Sequence, residues 1–299
     1  MNHYLAIDIG ASSGRHILAH TEDGKLVLEE IHRFENGLQK KNGRLCWDTE
    51  HLFREVKEGL KKCVSRGTVP KTVGIDTWGI DFVLLGAHDE LLGDAVGYRD
   101  SRTTGMDERV SRTIPEEELY RRTGIQKAIF NTIYQLMAVK EETPKLLEEA
   151  ETLLFMPDYL NFLLTGKKAA EYTIASTSQL LDPASKDWDL GLFRMLGLPT
   201  HFLQPIVPAG HVLGRFTDEI ASELGFSADV INVAEHDTGS AVAALPTTED
   251  TVYISSGTWS LMGIERDAVD TSDAARAGNF TNEGGYGYRF RFLKNIMGL

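Results

Sequence analysis

The sequence predicts an α/β protein, with a mixed β-sheet flanked by helices and the start of a second lobe of the same type. Apolar segments of strand length and an amphipathic helical segment follow one another within the first third of the chain. A pattern of strand, small-residue turn and strand also occurs twice, at the N-terminal end and again after residue 250. At 299 residues the chain is long for one compact domain, which favours two.

The chain opens with an antiparallel meander. Residues 4–9 form an apolar run that predicts a buried strand, and residues 16–20 continue beyond a small-residue turn as a second strand. Asp23-Gly24 is typical of a hairpin turn, so residues 26–31 are predicted as the third strand.

The spacing of apolar residues and the positions of capping and helix-breaking residues predict the elements that follow. Asp48 is a plausible N-cap for a helix whose apolar residues Leu52, Val56, Leu60 and Cys63 share one face. The other predicted elements are strands at 73–78, 82–85 and 230–234, a mostly helical region from 115 to about 166, and a small-residue helix ending at Pro246.

A polar break at 246–250 is the predicted domain boundary, which divides the chain into residues 1–246 and 247–299. Strands are predicted at 251–254 and 259–262, around a turn whose Ser255-Ser256-Gly257 echoes Ser12-Ser13-Gly14. Two such hairpins, each opening a domain, suggest a duplicated architecture that clasps one ligand between its halves. The chain stops in an apolar stretch without a helix stop signal, so the second domain is expected to be truncated.

Charge and composition narrow the class of partner. The net charge is −13 and no basic run occurs, which argues against nucleic acid and anionic membranes as partners. A nucleotide stays possible, because backbone N–H groups and a metal can hold phosphates. Cys46 and Cys63 are expected to be unpaired in a reducing compartment. With no basic leader and no apolar stretch long enough to span a bilayer, we expect a soluble, cytoplasmic protein.

The first hairpin turn has the composition of a phosphate site. Small and hydroxyl residues let backbone N–H groups approach phosphate oxygens, and Arg15 can add a bidentate contact. Asp8, at the strand end, could orient the water shell of a metal. The alternative is a tight turn beside a surface aspartate. The Gly10-x-Ser12-x-Gly14 spacing also fits a serine-hydrolase elbow, but an elbow leads into a helix, whereas a strand is predicted here.

Asp237 is the candidate proton acceptor. It lies where an apolar strand ends and a small-residue helix begins, and a helix N-terminus favours an ionised carboxylate. The alternative is a simple helix N-cap. His236 could bond a sugar hydroxyl or be a core histidine, and Trp78-Gly79 could form an aromatic wall or simply pack.

Two further segments are open to more than one interpretation. The charged group Arg99, Asp100 and Arg102 fits surface ion pairing or polyol binding. The glycine-rich stretch 284–287 is expected to be a turn and not a phosphate loop, since no strand-to-helix context surrounds it.

Seven stretches, taken together and in this order, resemble the FGGY carbohydrate kinases: 8–15, 74–85, 98–103, 156–159, 236–238, 253–263 and 293–299. The two hairpins are shared widely in that superfamily. Thr-Trp-Gly-Ile-Asp at 77–81 and Lys-Asn-Ile-Met-Gly at 294–298 are similar to the L-rhamnulose kinases within it. The resemblance implies the actin-like ATPase fold, which is related to ribonuclease H.

The resemblance also implies an activity: transfer of the ATP γ-phosphate to the 1-hydroxyl of L-rhamnulose, with Mg²⁺, in rhamnose catabolism. Asp237 would accept the proton and Asp8 would lie near the metal. The ATP phosphates would be held by Ala11, Ser12, Ser13, Gly14, Arg15 and Thr258. The sugar would be bound by Gly79, His236, Asp237, Thr238 and Asn295.

Alternatives stay open. Family members continue through a second domain that carries the adenosine-binding motif, so this chain could be a sugar-binding module without catalysis. The substrate could also be another ketopentose or deoxyketose. An actin-like or chaperone-type ATPase is disfavoured by Trp78-Gly79 and the charged group at 99–102, which have a use in a polyol site. The oligomeric state is not predicted.

Overall fold

The computed structural model describes residues 2–246, 251–257 and 259–298. Within these ranges the strands are, in chain order, β1 (Tyr4–Ile9), β2 (Ser13–Glu22), β3 (Lys25–Glu35), β4 (Gln39–Lys41), β5 (Arg44–Cys46), β6 (Thr72–Thr77), β7 (Phe82–Leu85), β8 (Thr152–Phe155), β9 (Ala170–Glu171), β10 (Leu181–Asp182), β11 (Asp187–Trp188), β12 (Ile206–Val207), β13 (His211–Arg215), β14 (Asp229–Asn232), β15 (Tyr253–Ser256), β16 (Trp259–Arg266), β17 (Thr281–Gly284) and β18 (Phe290–Gly298).

The α-helices, again in chain order, are α1 (Thr49–Ser65), α2 (Met106–Ser111), α3 (Glu116–Thr123), α4 (Thr132–Glu142), α5 (Pro144–Glu149), α6 (Met156–Thr165), α7 (Tyr172–Ser176), α8 (Leu190–Leu196), α9 (Asp218–Leu224), α10 (Asp237–Ala243) and α11 (Asp273–Ala277). Short 3₁₀ helices span Ser101–Thr103 and Tyr286–Tyr288. Among the described residues, no helix is long and apolar enough to cross a bilayer.

The main sheet has six strands in the order β13-β14-β6-β1-β2-β3. The opening meander β1-β2-β3 is antiparallel, as predicted, and β6 pairs with β1 in parallel. Strand β14 also runs parallel to β6. Parallel pairing requires a crossover connection, so helices lie between these strands in sequence. The predicted mixed sheet is confirmed, and its parallel strands β1, β6 and β14 end on the same side.

Helix α1 packs against this sheet through one apolar face. Leu52, Val56, Leu60 and Cys63 are fully buried, and each such burial contributes about 1.5–3 kcal/mol for a side chain of leucine size. The predicted N-cap is confirmed, because the Asp48 carboxylate accepts a hydrogen bond from the backbone N–H of His51. The helix therefore begins and packs as its sequence pattern predicts.

The region from 115 to 166 contains one strand that the sequence pattern did not reveal. Strand β8 pairs antiparallel with β7, and all four of its residues are buried. A short, uniformly apolar run fits a buried helix as well as a buried strand, so periodicity could not distinguish them. Pro157 lies in the first turn of α6, where its missing N–H costs nothing.

A second sheet has the order β15-β16-β18-β17. Strand β17 is attached to the first part of the chain by hydrogen bonds: the Asn282 side-chain amide donates to the Gly124 carbonyl at 2.9 Å, and the Tyr120 hydroxyl donates to the Phe280 carbonyl at 2.9 Å. The backbone N–H of Gly284 donates to Ser176 Oγ at 2.7 Å. The predicted boundary between the lobes falls largely on residues 247–250, which lie outside the described residues.

Candidate functional site

A cavity of about 590 Å³ lies between the two small-residue hairpins. Its walls come from the ends of β1 and β6, the start of α10, the turn before β16, and strands β17 and β18. Ten predicted site residues line it: Asp8, Ala11, Ser12, Ser13, Arg15, Gly79, His236, Asp237, Thr238 and Asn295. The structure thus brings together residues from widely separated parts of the sequence.

The remaining two predicted site residues are Gly14 and Thr258. Gly14 does not line the cavity, and a Cβ atom there would lie 2.2 Å from the ring of Phe34. Its small size serves the packing of Phe34 against β2, because real Cβ atoms do not approach other atoms that closely. Thr258, the predicted phosphate contact of the second hairpin, lies outside the described residues.

The turn of the first hairpin is held in shape by a residue that was not predicted. Within the turn, the Gly10 N–H donates to the Ser13 carbonyl at 2.9 Å. Asn36 then fastens the turn from the neighbouring strand end: its side-chain amide donates to the Gly10 carbonyl at 2.8 Å, and its backbone N–H donates to the Ser12 carbonyl at 3.0 Å. Asn36 directly follows β3, so the predicted antiparallel meander is the sequence feature that could have placed Asn36 beside this turn.

Arg15 and Asp8 form an ion pair across the hairpin. They are cross-strand partners in the β1–β2 register, and Arg15 Nε and Nη2 lie 2.9 and 2.8 Å from Asp8 Oδ2. About half of the Arg15 side chain is exposed, so this pair contributes little to stability. A guanidinium held loosely in this way stays available to an anion in the cavity.

Asp76 is a third carboxyl group of the cavity, beside Asp8 and Asp237. It is the register partner of Asp8 in the parallel β1–β6 pair and lines the same cavity. Burial raises the pKa of Asp76 well above its ordinary value, and the charges of Asp8 and Asp237 raise it further. A lone aspartate within an apolar strand was the signal that could have identified it.

Asp237 is the first residue of α10, and the N-cap position belongs to His236. The N-cap alternative for Asp237 is therefore wrong: its Oδ1 accepts from the N–H of Thr238 at 2.6 Å and from Thr238 Oγ1 at 3.2 Å. Burial raises the pKa of Asp237 and the charge of Asp8 adds to this, against the effects of His236 and Thr238. This direction is opposite to the one expected from the helix N-terminus alone.

The ring of His236 faces Gly79. A Cβ atom at position 79 would lie 3.4 Å from His236 Nε2 and 3.3 Å from Thr177 Oγ1, so glycine leaves the space that a ligand would need. The next residue, Ile80, has φ +66°, which is rare for a β-branched side chain. Hydrogen bonds from Ile80 N–H to Thr177 Oγ1 at 3.1 Å and from Thr132 Oγ1 to the Ile80 carbonyl at 2.7 Å stabilise this conformation.

The other side of the His236 ring contacts the second sheet. Arg291 Nη2 lies 2.9 Å from His236 Nδ1, and Glu283 Oε2 lies 3.3 Å from the same atom. On the opposite edge, His236 Nε2 lies 3.4 Å from Asp237 Oδ1. Arg291 and Glu283 were not predicted, since nothing in their local sequence distinguishes them from ordinary strand residues.

An aromatic wall, formed by Trp78 and Tyr98, lines the cavity beside Gly79. Trp78 thus lies at the cavity and also packs against Trp47, so its predicted role in a sugar site stays a prediction. A buried carboxylate orders the wall: Asp81 Oδ2 accepts from the indole N–H of Trp78 at 3.0 Å and of Trp47 at 2.6 Å. It also accepts from the backbone N–H of Tyr98 at 3.1 Å.

The charged group Arg99, Asp100 and Arg102 does not line the cavity. Asp100 is buried and accepts from the backbone N–H of Leu45 at 2.8 Å, and Arg102 donates to Gln135 Oε1 at 2.6 Å. Asp100 and Arg102 therefore support the fold around β5 and α4, and the polyol-binding interpretation of the group stays a prediction. The glycine-rich stretch forms the end of β17 and a turn, and its residues do not line the cavity.

A family model described as the FGGY family of carbohydrate kinases, N-terminal domain, matches residues 3–244. The chain belongs to this family. FGGY kinases described as rhamnulokinases are similar along the whole chain: that of Halalkalibacterium halodurans is 52% identical over 299 residues, and that of Klebsiella pneumoniae strain 342 is 44% identical over 302 aligned residues. These matches cover 100% of this chain but 64% and 61% of the relatives, so the chain spans less than two thirds of their length.

Solved structures of sugar and glycerol kinases share the fold. A ligand-bound xylulose kinase from Lactobacillus acidophilus superposes with a TM-score of 0.87 at 19% identity, covering 99% of this chain and 60% of that one. A glycerol kinase from Plasmodium falciparum with ADP gives a TM-score of 0.82 at 15% identity, with 99% and 61% coverage. The predicted actin-like fold is thereby confirmed.

Proposed function

We propose that this chain is the sugar-binding and catalytic part of an ATP-dependent kinase that phosphorylates L-rhamnulose at its 1-hydroxyl, in the breakdown of rhamnose. One observation carries the proposal: a carboxylate suited to accept a proton, Asp237, shares one cavity with both small-residue hairpins. The similarity to rhamnulokinases along the whole chain supports this sugar over other ketoses.

Asp237 accepts the proton of the attacking hydroxyl in this proposal. Phosphoryl transfer needs positioning and charge neutralisation more than a strong base, because the transition state is loose. The raised pKa of Asp237 makes its carboxylate a better acceptor than an exposed aspartate, and 35% of its side chain stays accessible although it lies deep in the cleft. The bonds from Thr238 to Oδ1 leave Oδ2 available to the sugar.

The two hairpins hold the phosphates of ATP. Ala11, Ser12, Ser13 and Arg15 line the cavity from one side and residues 255–257 line it from the other, so backbone N–H groups and the guanidinium could bind the phosphates there. The predicted role of Thr258 belongs to the second turn and stays a prediction. ATP binding is thus proposed to bridge the two lobes.

Asp8 is the proposed protein contact of Mg²⁺. Among the described residues, no group of three or more His, Cys, Asp or Glu side chains is arranged to hold a metal by itself. That fits Mg²⁺, which commonly takes one or two carboxylates together with substrate phosphates and water. When bound, the ion would neutralise charge on the transferred phosphoryl group.

The sugar would bind among Gly79, His236, Thr238 and Asn295, beside the aromatic wall of Trp78 and Tyr98. Gly79 leaves space at the His236 ring, and hydroxyl, imidazole and amide groups suit the many hydroxyls of a ketose. An aromatic face suits the less polar face of a sugar, as in many small-molecule sites.

We further propose that residues 1–246 form the sugar-binding domain and that residue 247 begins the nucleotide-binding domain. The six-stranded sheet and the second sheet fall on either side of this boundary. Both cysteines are buried and unpaired, as expected for a protein of the reducing cytoplasm.

A coupled ADP-release assay over a panel of ketoses tests the substrate. L-rhamnulose should be turned over with the highest kcat/KM, and equal turnover of L-ribulose or D-xylulose would refute the substrate assignment. Asp237→Asn should retain sugar affinity in calorimetry but lose turnover by at least about a hundredfold. Asp267→Asn, at an aspartate whose side chain is 90% exposed, is the matched control and should behave as the unaltered protein.

Calorimetry of this 299-residue chain separates catalysis from simple binding. Binding of both L-rhamnulose and Mg·ATP supports a kinase whose nucleotide contacts lie within this chain. Sugar binding without nucleotide binding would instead favour a sugar-binding module, and binding of Mg·ATP alone would favour an ATPase that acts without a sugar.

A further inference from the structure

We infer that Arg291, held by Glu283, is a positioning residue for His236 and directs the Nε2–H of that ring toward the bound sugar. The identity of the sugar rests on the proposed function, but the orientation of the ring does not. Arg291, on strand β18 of the second sheet, contacts His236, the residue that precedes the proposed base Asp237.

Arg291 and Glu283 are direct cross-strand partners in the β17–β18 register, so their side chains extend from the same face of the second sheet. The Arg291 side chain is completely buried. Its Nε donates to the carbonyl of Gly284 at 2.8 Å, and its Nη2 reaches both His236 Nδ1 at 2.9 Å and Glu283 Oε2 at 3.1 Å. The guanidinium is therefore held by two hydrogen bonds and one ion pair.

These contacts define where the ring proton of His236 lies. A guanidinium only donates hydrogen bonds and does not lose its proton in proteins, so His236 Nδ1 must accept with its lone pair. The remaining ring proton is then on Nε2. The competing arrangement, with Nδ1–H donating to Glu283, uses the longer contact of 3.3 Å. Nε2 faces the space above Gly79 and Asp237, where a sugar hydroxyl could accept its hydrogen bond.

Glu283 makes a buried arginine tolerable at this position. A buried charge is costly unless it is paired, and the adjacent carboxylate makes the pair neutral overall. Burial acts to raise the pKa of Glu283, but the charge of Arg291 is among the effects that hold that pKa below its usual value. Glu283 thus stays ionised opposite Arg291.

The pair also connects the two parts of the chain. Arg291 and Glu283 belong to the second sheet, whereas His236 occupies the N-cap position of α10 next to the main sheet. The ring is presented to the cavity only while β17 and β18 are seated against the first part of the chain. His236 therefore couples sugar binding to the placement of the second sheet.

The protonation of the ring can be measured directly. Long-range ¹⁵N–¹H correlation spectra of the whole protein labelled with ¹⁵N-histidine, with His236 assigned from its loss in His236→Asn, should show an unprotonated Nδ1 and a protonated Nε2. Arg291→Met should abolish this pattern, and Arg289→Met should preserve it. Arg289 is a suitable control because it lies two residues earlier and its ion pair with Asp267 is exposed.

Sugar affinity supplies the second readout. Arg291→Met should weaken L-rhamnulose binding by about tenfold in calorimetry, with a larger effect on KM than on kcat, since a hydrogen bond is lost in the bound ground state. Arg291→Lys should restore part of the affinity. If Arg291→Met does not fold, the double variant Glu283→Gln/Arg291→Met removes both charges, should fold, and should show the same loss.

Two results would overturn the inference: a ring protonated on Nδ1 in the unaltered protein, or an unchanged ¹⁵N pattern and sugar affinity in Arg291→Met or in the double variant. Failure of the proposed function looks different. If no ketose binds, the ring pattern and its response to Arg291→Met still decide whether Arg291 positions His236.

Discussion

Trp78 donates its indole N–H to the carboxylate of Asp81 at 3.0 Å, from three positions earlier in the chain. The same oxygen accepts from Trp47 at 2.6 Å, and the centroids of the two indole rings are 3.9 Å apart. The second carboxylate oxygen accepts from the side-chain amide of Gln135 at 2.9 Å. One buried carboxylate therefore orders the aromatic side of the cavity, and Trp78 and Asp81, the second and last residues of the Thr-Trp-Gly-Ile-Asp stretch, have a structural role.

Replacing Asp81 with asparagine should destabilise the protein by about 1–3 kcal/mol. An asparagine oxygen can still accept from the indoles, but its NH₂ group then faces the donating amide of Gln135, which leaves buried donors unpaired. Urea denaturation measures the free energy of unfolding, and the KM for the sugar should rise as Trp78 loses its anchor. The control Asp267→Asn, at an exposed site, should change stability by less than about 0.5 kcal/mol.

Three buried carboxyl groups support the loop that carries His236. Asp158, Glu171 and Glu235 are nearly inaccessible, and Glu171 Oε2 accepts from the backbone N–H of Glu235 at 3.1 Å. The side-chain amides of Asn161 and Asn232 each donate to Glu235 Oε1 at 2.7 Å. Burial raises the pKa of Asp158 to about 8, that of Glu171 to about 7, and that of Glu235 well above its ordinary value.

The stability of the protein should therefore fall as the pH rises toward 8. The folded-state pKa values are above those of the unfolded chain, so the folded state binds more protons. The contribution of these groups to the free energy of unfolding is complete only below the unfolded pKa values near 4. It is lost as the pH rises through about 7 and 8. Urea denaturation from pH 5 to 9 measures this slope. Glu235→Gln should flatten it, and a slope unaffected by that change would contradict the assignment.

Elements whose signals are contiguous in sequence were predictable. The meander follows from apolar strands and Asp23-Gly24, and α1 follows from Asp48 and its apolar face. Asp8, Gly79 and Asp237 were identified because strand ends, glycines and small-residue helix starts are local features. Their meeting in one cavity was implied by the family resemblance and not by spacing.

Partners that meet only through tertiary structure were not predictable. Trp47 and Asp81 are 34 residues apart, and His236 and Arg291 are 55 apart, with no repeated spacing that links them. The charged group at 99–102 shows the same limit, because the sequence does not reveal that Asp100 and Arg102 contact Leu45 and Gln135 on distant elements. Burial, which sequence does not reveal, decided the direction of the Asp237 pKa shift.

Gly79→Ala should raise the KM for the sugar by about tenfold or more while leaving stability nearly unchanged. The added methyl group meets Thr177 Oγ1 at 3.3 Å and His236 Nε2 at 3.4 Å, which the fold can accommodate with small shifts, but it occupies the space at the imidazole edge. Steady-state kinetics and thermal unfolding measure the two effects. Gly37→Ala is the matched control, because nothing lies within 4 Å of its Cβ position. A stable Gly79→Ala protein with unchanged KM would show that the sugar does not approach Gly79.

Asn36→Ala should raise the KM for ATP while leaving the affinity for the sugar intact. The Asn36 amide is what fastens the first hairpin turn through the Gly10 carbonyl, and without it the backbone N–H groups at 11–13 lose their fixed direction toward a phosphate. Loss of this bond should cost about 1 kcal/mol of stability, so thermal unfolding must be recorded beside the kinetics.

Gln39→Ala, in the exposed strand β4, is the control for substitution in this segment and should change neither KM. The difference between the two substrates is the decisive measurement, because general loosening of the protein would raise both KM values together. An equal rise in both KM values would show that Asn36 acts on the fold as a whole. A rise in the KM for ATP alone would show that the turn held by Asn36 binds the phosphates.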